Sequence, residues 1–310
     1  DITRTQGAGG NTSVKVDGTM WVKASGTWLK EALEKEIFVP VVVEPLVEAL
    51  KAGDIRADKA TDFIVQELNA CKLRPSIETS VHAIMPQSVV AHFHCVNTIA
   101  HSVRADAREC VAGRMVQLPH LRWSMVPYLR PGLPLAQGIA QVIHEAPDVV
   151  ILRNHGIIVA GDSIDEVAER IETVTRALAI VPRESAPPDL DHLAALAAQS
   201  SFRLPAERDS HRVALDPHAC RIAATGSLYP DHVIFLATRP AVLGEGESLD
   251  ELLERTREVG RPQPKMIIVP GRGILVAEDL SAGGETMAQC LAEVALRIDP
   301  DARIDVLSDT

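Results

Sequence analysis

Two apolar runs in this chain end in histidine, and these histidines have the type and spacing that could do chemistry. The first run is Val89-Val90-Ala91-His92-Phe93-His94. Side chains alternate along a β-strand, so His92 and His94 project from one face about 7 Å apart, close enough for both imidazoles to reach one metal ion. A single histidine in such a run is usually a core residue hydrogen-bonded to backbone. A pair spaced one residue apart moves the balance toward ligands, and a third histidine would complete the set. The run Val149-Val150-Ile151-Leu152-Arg153-Asn154-His155-Gly156 supplies a candidate in His155. Three neutral imidazoles with one coordination position open form the donor set of a catalytic, zinc-type site rather than a closed structural one.

A chain of 310 residues exceeds the usual size of a single core, so one larger and one smaller domain are expected. Aromatic residues make up only 3% of it, which leaves the core to Val, Ile, Leu and Ala. No window approaches the roughly 18 apolar residues that span a bilayer, and the first residues lack the basic-then-apolar pattern of a signal peptide. A cytoplasmic protein is expected. The five cysteines, Cys71, Cys95, Cys110, Cys220 and Cys290, form no C-x-x-C and suit reduced thiols. A net charge of −11 excludes general affinity for nucleic acid or for anionic membrane, so any phosphate must be met locally.

Other stretches must position the histidines. Gln6-Gly7-Ala8-Gly9-Gly10-Asn11-Thr12-Ser13 is a turn rich in exposed backbone N–H groups, which can nest an anion, although most such stretches are ordinary turns. Met20-Trp21-Val22-Lys23-Ala24-Ser25-Gly26-Thr27 alternates like a strand and ends in a second hydroxyl-rich turn. Two such turns flanking a short hairpin could face one phosphate. Residues 28–36 are helix formers of mixed charge, residues 37–43 return to strand character, and residues 45–52 and 59–70 carry amphipathic helical patterns. In Arg74-Pro75-Ser76-Ile77-Glu78-Thr79-Ser80-Val81-His82, Ser76 is a suitable N-cap and Glu78 falls in the first helical turn. Plain capping explains both residues as local structure. Position argues for more, because this helix leads through Met85-Pro86 into the His92 strand. His82, four residues after Glu78 on the same helical face, reads as a packing or supporting residue rather than a fourth ligand.

Taken in order, Gly-Gly-Asn-Thr-Ser, Lys-Ala-Ser-Gly-Thr, Arg-Pro-Ser-Ile-Glu-Thr-Ser-x-His, His-Phe-His and Asn-His-Gly resemble the class II aldolase/adducin family over roughly residues 5–180. The style is that of the rhamnulose-phosphate aldolase branch, in which an aldolase module can be fused to a dehydrogenase. The resemblance implies a three-layer α/β/α sandwich around a largely antiparallel sheet, usually a homotetramer with active sites at subunit interfaces. It places His92, His94 and His155 on the zinc-binding histidines, with another divalent ion as an alternative, and Glu78 on the acid/base carboxylate. Gly10, Asn11, Ser25, Gly26 and Ser76 fall on the substrate-phosphate pocket. It further implies cleavage of a ketose phosphate to dihydroxyacetone phosphate, or a similar fragment, and an aldehyde through a metal-stabilised enediolate. The chain departs from the pattern at Ile77, where related aldolases have a second serine. It also opens at Asp1 with few residues before the Gly-Gly-Asn loop, as a trimmed N-terminus would. No local motif marks Tyr128 as the proton donor to the leaving aldehyde.

A helix is expected to open at Asp162 or Ser163 and run to about Val181. Residues 182–189 are proline-rich and linker-like, dividing a catalytic domain, 1–182, from a smaller α/β domain, 190–310. That second part is expected to hold an Ala-rich helix near 190–200, strands at 233–237 and 266–276, and a final helix near 285–298. The Pro270-Gly271-Arg272-Gly273 turn reads as a hairpin rather than a phosphate loop. His211, His218 and His232 lack ligand-like spacing and suit surface or structural places. With no G-x-G-x-x-G, a stand-alone form without the dehydrogenase is expected. An epimerase, decarboxylase or dehydratase of the same superfamily is the alternative, and Glu78 favours the aldolase over the epimerases. A non-catalytic scaffold of the adducin kind would not keep three metal-type histidines.

Overall fold

The computed structural model describes residues 1–198 and 200–307. By its contacts the chain falls into two compact units, one formed by Ala8–Thr98 and Arg108–Leu178, the other by Asp1–Gly7, Ile99–Ala107 and Ala179–Thr310. In the unit that carries the histidines, the alternating runs fold as strands. β1 (Asn11–Val16) and β2 (Thr19–Lys23) form a hairpin whose two tip residues, Asp17 and Gly18, both have positive φ. A two-residue hairpin turn with left-handed geometry at both positions favours Asp-Gly. β3 (Phe38–Val42) and β4 (Val89–Phe93) follow, then β5 (Trp123–Val126), β6 (Val149–Leu152) and β7 (Gly156–Gly161). They make one seven-stranded sheet in the order β3-β2-β1-β4-β7-β6-β5. Every neighbouring pair is antiparallel except β5 with β6.

The period of two sorts this sheet into faces. Val22, Val41, Val90, Ile158 and Val150 belong to one core cluster, which the helices Val43–Lys51, Thr79–Ile84 and Leu133–Ala140 cover with Leu46, Val81 and Ile139. Ala91, Phe93, Ile157 and Val159, of opposite parity, are also buried but lie outside that cluster, and the helix Ile164–Ala177 packs on β4 and β7. The result is helix, sheet, helix, the three-layer α/β/α arrangement with a largely antiparallel sheet. His92 shares its face with Val90, two residues earlier.

The other unit has its own sheet, β8 (Phe202–Arg203), β9 (Ala241–Val242), β10 (Met266–Val269) and β11 (Gly273–Ala277), in the order β8-β11-β10-β9. The 270–273 turn is a hairpin, with Val269 opposite Gly273. His211 Nδ1 accepts from the Ile274 N–H at 3.1 Å, His218 Nδ1 meets Arg221 Nη2 at 2.9 Å, and His232 is buried against the Tyr229 ring.

Several local expectations are corrected. Residues 233–237 are not a strand: 233–236 belong to the helix Pro230–Leu236 and Ala237 follows it, because Pro230 at the helix start presets helical φ and outweighs the β-propensity of Val233 and Ile234. The 59–70 helix is absent. A short helix, Arg56–Lys59, stops at Ala60 in left-handed conformation, and two 3-10 turns, Thr61–Phe63 and Gln66–Leu68, follow. Residues 28–36 hold one 3-10 turn, Leu29–Glu31. The helix after Pro75 begins at Thr79, leaving Glu78 at its N-cap position rather than within the first turn. The helix Ile164–Ala177 is capped by Ser163, which accepts from the Glu166 N–H, and the helices Leu190–Ala197 and Ala282–Ala295 lie close to their expected places. Gln199, near the end of the helix expected at 190–200, and residues 308–310 of the expected 190–310 domain lie outside the described residues.

Gly156 shows how tightly β4 and β7 approach. A Cβ there would fall 2.6 Å from the Phe93 carbonyl oxygen and 3.2 Å from His94 Cδ2. Gly156→Ala is therefore expected to cost about 1–3 kcal/mol in urea denaturation. Gly113→Ala, in the helix Ala107–Met115 where a Cβ meets nothing, should instead stabilise by about 0.5–1 kcal/mol.

Candidate metal centre

His92 stands near the end of β4 and His94 just beyond it. His155 reaches them because β6 and β7 form a hairpin, Leu152 opposite Gly156, whose loop is held by the His155 N–H to the Leu152 carbonyl at 3.2 Å. Asn154 in that loop has φ of 51°, a left-handed conformation that asparagine tolerates better than most residues. β7 lies beside β4, with Phe93 opposite Ile157, so the loop tip arrives beside His94. The three side chains each offer a ligand atom within 4.8 Å of the others, and all three are buried.

The geometry also orients a ring. His92 Nδ1 lies 3.1 Å from the Ile157 carbonyl oxygen, which can only accept, so Nδ1 carries the proton and the Nε2 lone pair turns inward. That Nε2 lies 3.2 Å from His94 Nε2. Glu78 completes the group, with Oε2 3.4 Å from His92 Nε2 and Oε1 3.3 Å from His155 Nε2. Its carboxylate is buried, and among the described residues Oε1 accepts no hydrogen bond. A buried carboxylate with one oxygen lacking a hydrogen-bond donor, beside the inward-turned lone pair of His92, favours a cation. The donor set fits a divalent metal ion. Burial alone would raise the Glu78 pKa; positive charge on His92, His155 and His94 when they are protonated, with the Asn11 amide, brings it down to about 2.

Capping does not account for Glu78. No side chain caps the helix Thr79–Ile84, and the carboxylate turns to the histidines instead. Ser76 braces the turn, its Oγ accepting from the Glu78 N–H at 3.3 Å and its carbonyl from Thr79 Oγ1 at 2.6 Å. Asn11 donates through Nδ2 to Glu78 Oε2 at 2.8 Å and to Ser76 Oγ at 3.1 Å. His82, fully buried, joins Asn11 Oδ1 through Nε2 and lies 2.8 Å from Ser13 Oγ through Nδ1. Burial, reinforced by His92 nearby, lowers its pKa to about 3, so the ring is neutral.

The two polar turns are tied together from beneath. Lys23 is 2% exposed, and its ammonium donates to the carbonyls of Ala8 at 3.0 Å and Thr27 at 2.6 Å. The Ser76 N–H donates to the Lys23 carbonyl and the Ser25 N–H to that of Arg74. Residues 8–11, 24–27 and 74–76 thus form one neighbourhood, with Gly10, Asn11 and Ser76 buried and Ser25 and Gly26 exposed. Ile77 is largely exposed, and Tyr128 is partly exposed beyond β5. Sequence reasoning missed Lys23, since a lysine in an alternating strand reads as a solvated one. The signal was its place between two turns whose carbonyls need donors.

Residues 3–181 match the family described as Class II Aldolase and Adducin N-terminal domain. The chain belongs to that family. The class II aldolase/adducin region is also similar to a Bacillus subtilis (strain 168) protein named Uncharacterized oxidoreductase YuxG, 28% identical over 175 residues, 53% of this chain and 25% of that protein. The chain thus spans about a quarter of the length of that curated relative. Among solved structures it is similar to the N-terminal class II aldolase domain of a conserved protein from Thermoplasma acidophilum, at 24% identity and a TM-score of 0.48, covering 55% of this chain and 82% of that one. L-fuculose-1-phosphate aldolase from Thermus thermophilus is another, at 16% identity and a TM-score of 0.37, covering 56% and 82%. No helix among the described residues is long and apolar enough to cross a membrane.

The lowered His82 pKa sets a pH dependence. Between the ordinary value of 6.5 and about 3 the unfolded chain holds a proton there that the folded chain does not, so this contribution is complete above pH 6.5 and is lost as pH falls. The loss approaches about 1.4 kcal/mol per pH unit within that window. Urea denaturation from pH 7 to 4.5 should show His82→Gln losing stability less steeply than the parent, by up to that slope.

Proposed function

We propose that this chain is a zinc-dependent aldolase that cleaves a ketose phosphate to dihydroxyacetone phosphate, or a similar small fragment, and an aldehyde. The observation that carries this reading is the Glu78 carboxylate, buried and 3.3–3.4 Å from the inner nitrogens of His155 and His92. His92, His94 and His155 would hold the cation. A divalent ion held there supplies Lewis-acid stabilisation of the negative charge that builds on the ketose oxygens.

The remaining chemistry belongs to the chain. The bond that breaks joins the carbon beside the carbonyl to the carbon bearing the next hydroxyl. That hydroxyl would pass its proton to water as its carbon becomes the aldehyde, and the bonding pair stays on the ketose-derived fragment. Glu78, ionised at rest, would take up a proton from water and deliver it to that fragment's carbon, or remove it in the synthetic direction. Gly10, Asn11, Ser25, Gly26 and Ser76 would meet the phosphate, with backbone N–H groups and hydroxyls as the donors. The three turns that carry them are joined through Lys23, Arg74 and Ser76, which supports one shared pocket. In this reading residues 1–182 are the catalytic domain, and residues 190–310 form a smaller α/β domain without catalytic groups.

Metal analysis of the purified protein should find about one divalent ion per chain, zinc foremost. It should be lost in His92→Ala and kept in His218→Ala; a metal-free parent protein would return the histidines to the core.

Glu78→Gln tests the reaction itself. Folding and metal content should change little, while turnover of ketose phosphates falls by about two to four orders of magnitude. Solvent deuterium should enter the ketose-derived product with the parent protein and far more slowly with the glutamine variant. Equal exchange rates would remove Glu78 as the base and turn the reading toward other reactions of the superfamily.

A further inference from the structure

We propose that Ser13, His82 and Asn11 form a one-way hydrogen-bond chain that fixes the Glu78 carboxylate, making His82 and Ser13 positioning residues for the proton-transfer group. The inference rests on Glu78 being the acid/base residue. It begins with a match between two periodicities. Asn11 and Ser13 are two apart on β1, opposite His92 and Val90 of β4, so both point to the face that bears the metal-type histidines. Glu78 and His82 are four apart across the start of the helix Thr79–Ile84, with the His82 N–H donating to the Glu78 carbonyl at 3.3 Å. One helical turn advances about 5.4 Å and two strand residues about 6.6 Å. Glu78 therefore lies over Asn11 while His82 spans Asn11 and Ser13, and all four are buried.

The direction of the chain follows from its charged end. A carboxylate oxygen only accepts, so the Asn11 amide turns its NH2 to Glu78 Oε2 and to Ser76 Oγ, and its carbonyl oxygen Oδ1 to His82. Because Oδ1 cannot donate, His82 carries its proton on Nε2. Nδ1 is then left with a lone pair, which accepts from the Ser13 hydroxyl. For the neutral ring each link has one permitted direction, and moving its proton to Nδ1 would make Nε2 an acceptor and set the Asn11 carbonyl against the Glu78 carboxylate. With Oε2 held in this way, Oε1 is the oxygen free to exchange a proton with substrate. A structural histidine would need only to be hydrogen-bonded; this one must be a particular tautomer.

Nitrogen-15 NMR of the full, metal-loaded chain, with long-range correlations to the ring protons, reads that tautomer without any substrate. The expected result is Nε2-protonated, neutral His82. An Nδ1-protonated ring would overturn the proposal, because Nε2 would then accept from the Asn11 NH2 and the carbonyl oxygen would face Glu78. Kinetics supplies the second readout. His82→Leu, which removes the donor to Asn11, should lower kcat by about 10- to 100-fold, the usual scale for a residue that orients a ligand or catalytic group. KM for the ketose phosphate and metal content should stay near the parent values, and His82→Gln, which keeps a donor toward Asn11, should recover most of kcat. Equal kcat in the leucine and glutamine variants, with only stability lowered, would make His82 structural. An Nε2-protonated ring without turnover of any ketose phosphate would leave the chain standing and sink the aldolase reading alone.

Discussion

One antiparallel register, His92 opposite Ile158 on β7, decides whether the three metal-type histidines meet at all. It brings the loop tip bearing His155 beside the end of β4, where His92 and His94 stand. A slip of one residue would send His92 to the face of Ala91 and Phe93 and carry the β6–β7 loop away from it. The register is in turn enforced by apolar packing, since Val90, Ile158 and Val150 must all meet the same helices. It is also enforced sterically, because only a residue without a side chain fits where β7 passes the Phe93 carbonyl. The site is thus a by-product of a well-packed sheet, and its precision is that of the core.

The opposing constraint is electrostatic. Burying Glu78 among imidazoles costs free energy unless a cation and hydrogen-bond donors offset it. Within the protein the Asn11 amide offsets part of this, and the remainder falls to a cation that the three histidines would hold.

Much of this was legible in the residues. His92, His94 and His155 were visible because histidine at the end of an apolar run is uncommon, and period-two alternation fixed which of them share a face. Strands β2, β3, β4 and β6 and the Ser163 cap were legible for the same reason, namely that local pattern and tertiary role agree, whereas β1, β5 and β7 were not read as strands. Where they disagree the sequence misled. Val233 and Ile234 carry β-propensity in a helix begun by Pro230, and residues 59–70 carry a helical pattern broken by one left-handed residue, Ala60. The Asn11 to Glu78 contact joins residues far apart in sequence and has no local signature. His82 was readable only as a neighbour of Glu78, not as a partner of Ser13. Lys23 hid because burial of a lysine under two turns depends on carbonyls that only the folded chain brings together.

Each donor that could hold the cation comes from the end of β4 or the β6–β7 loop, while Glu78 enters from the start of the helix Thr79–Ile84, steadied by β1. The two contributions sit on separate segments with separate supports. Such a division lets one half be altered while the other stays intact: the three histidines are held by the sheet, and the Glu78 segment by its own turn. The fold is in this sense a chassis, and the short stretch between Pro75 and His82 is the part that plugs into it.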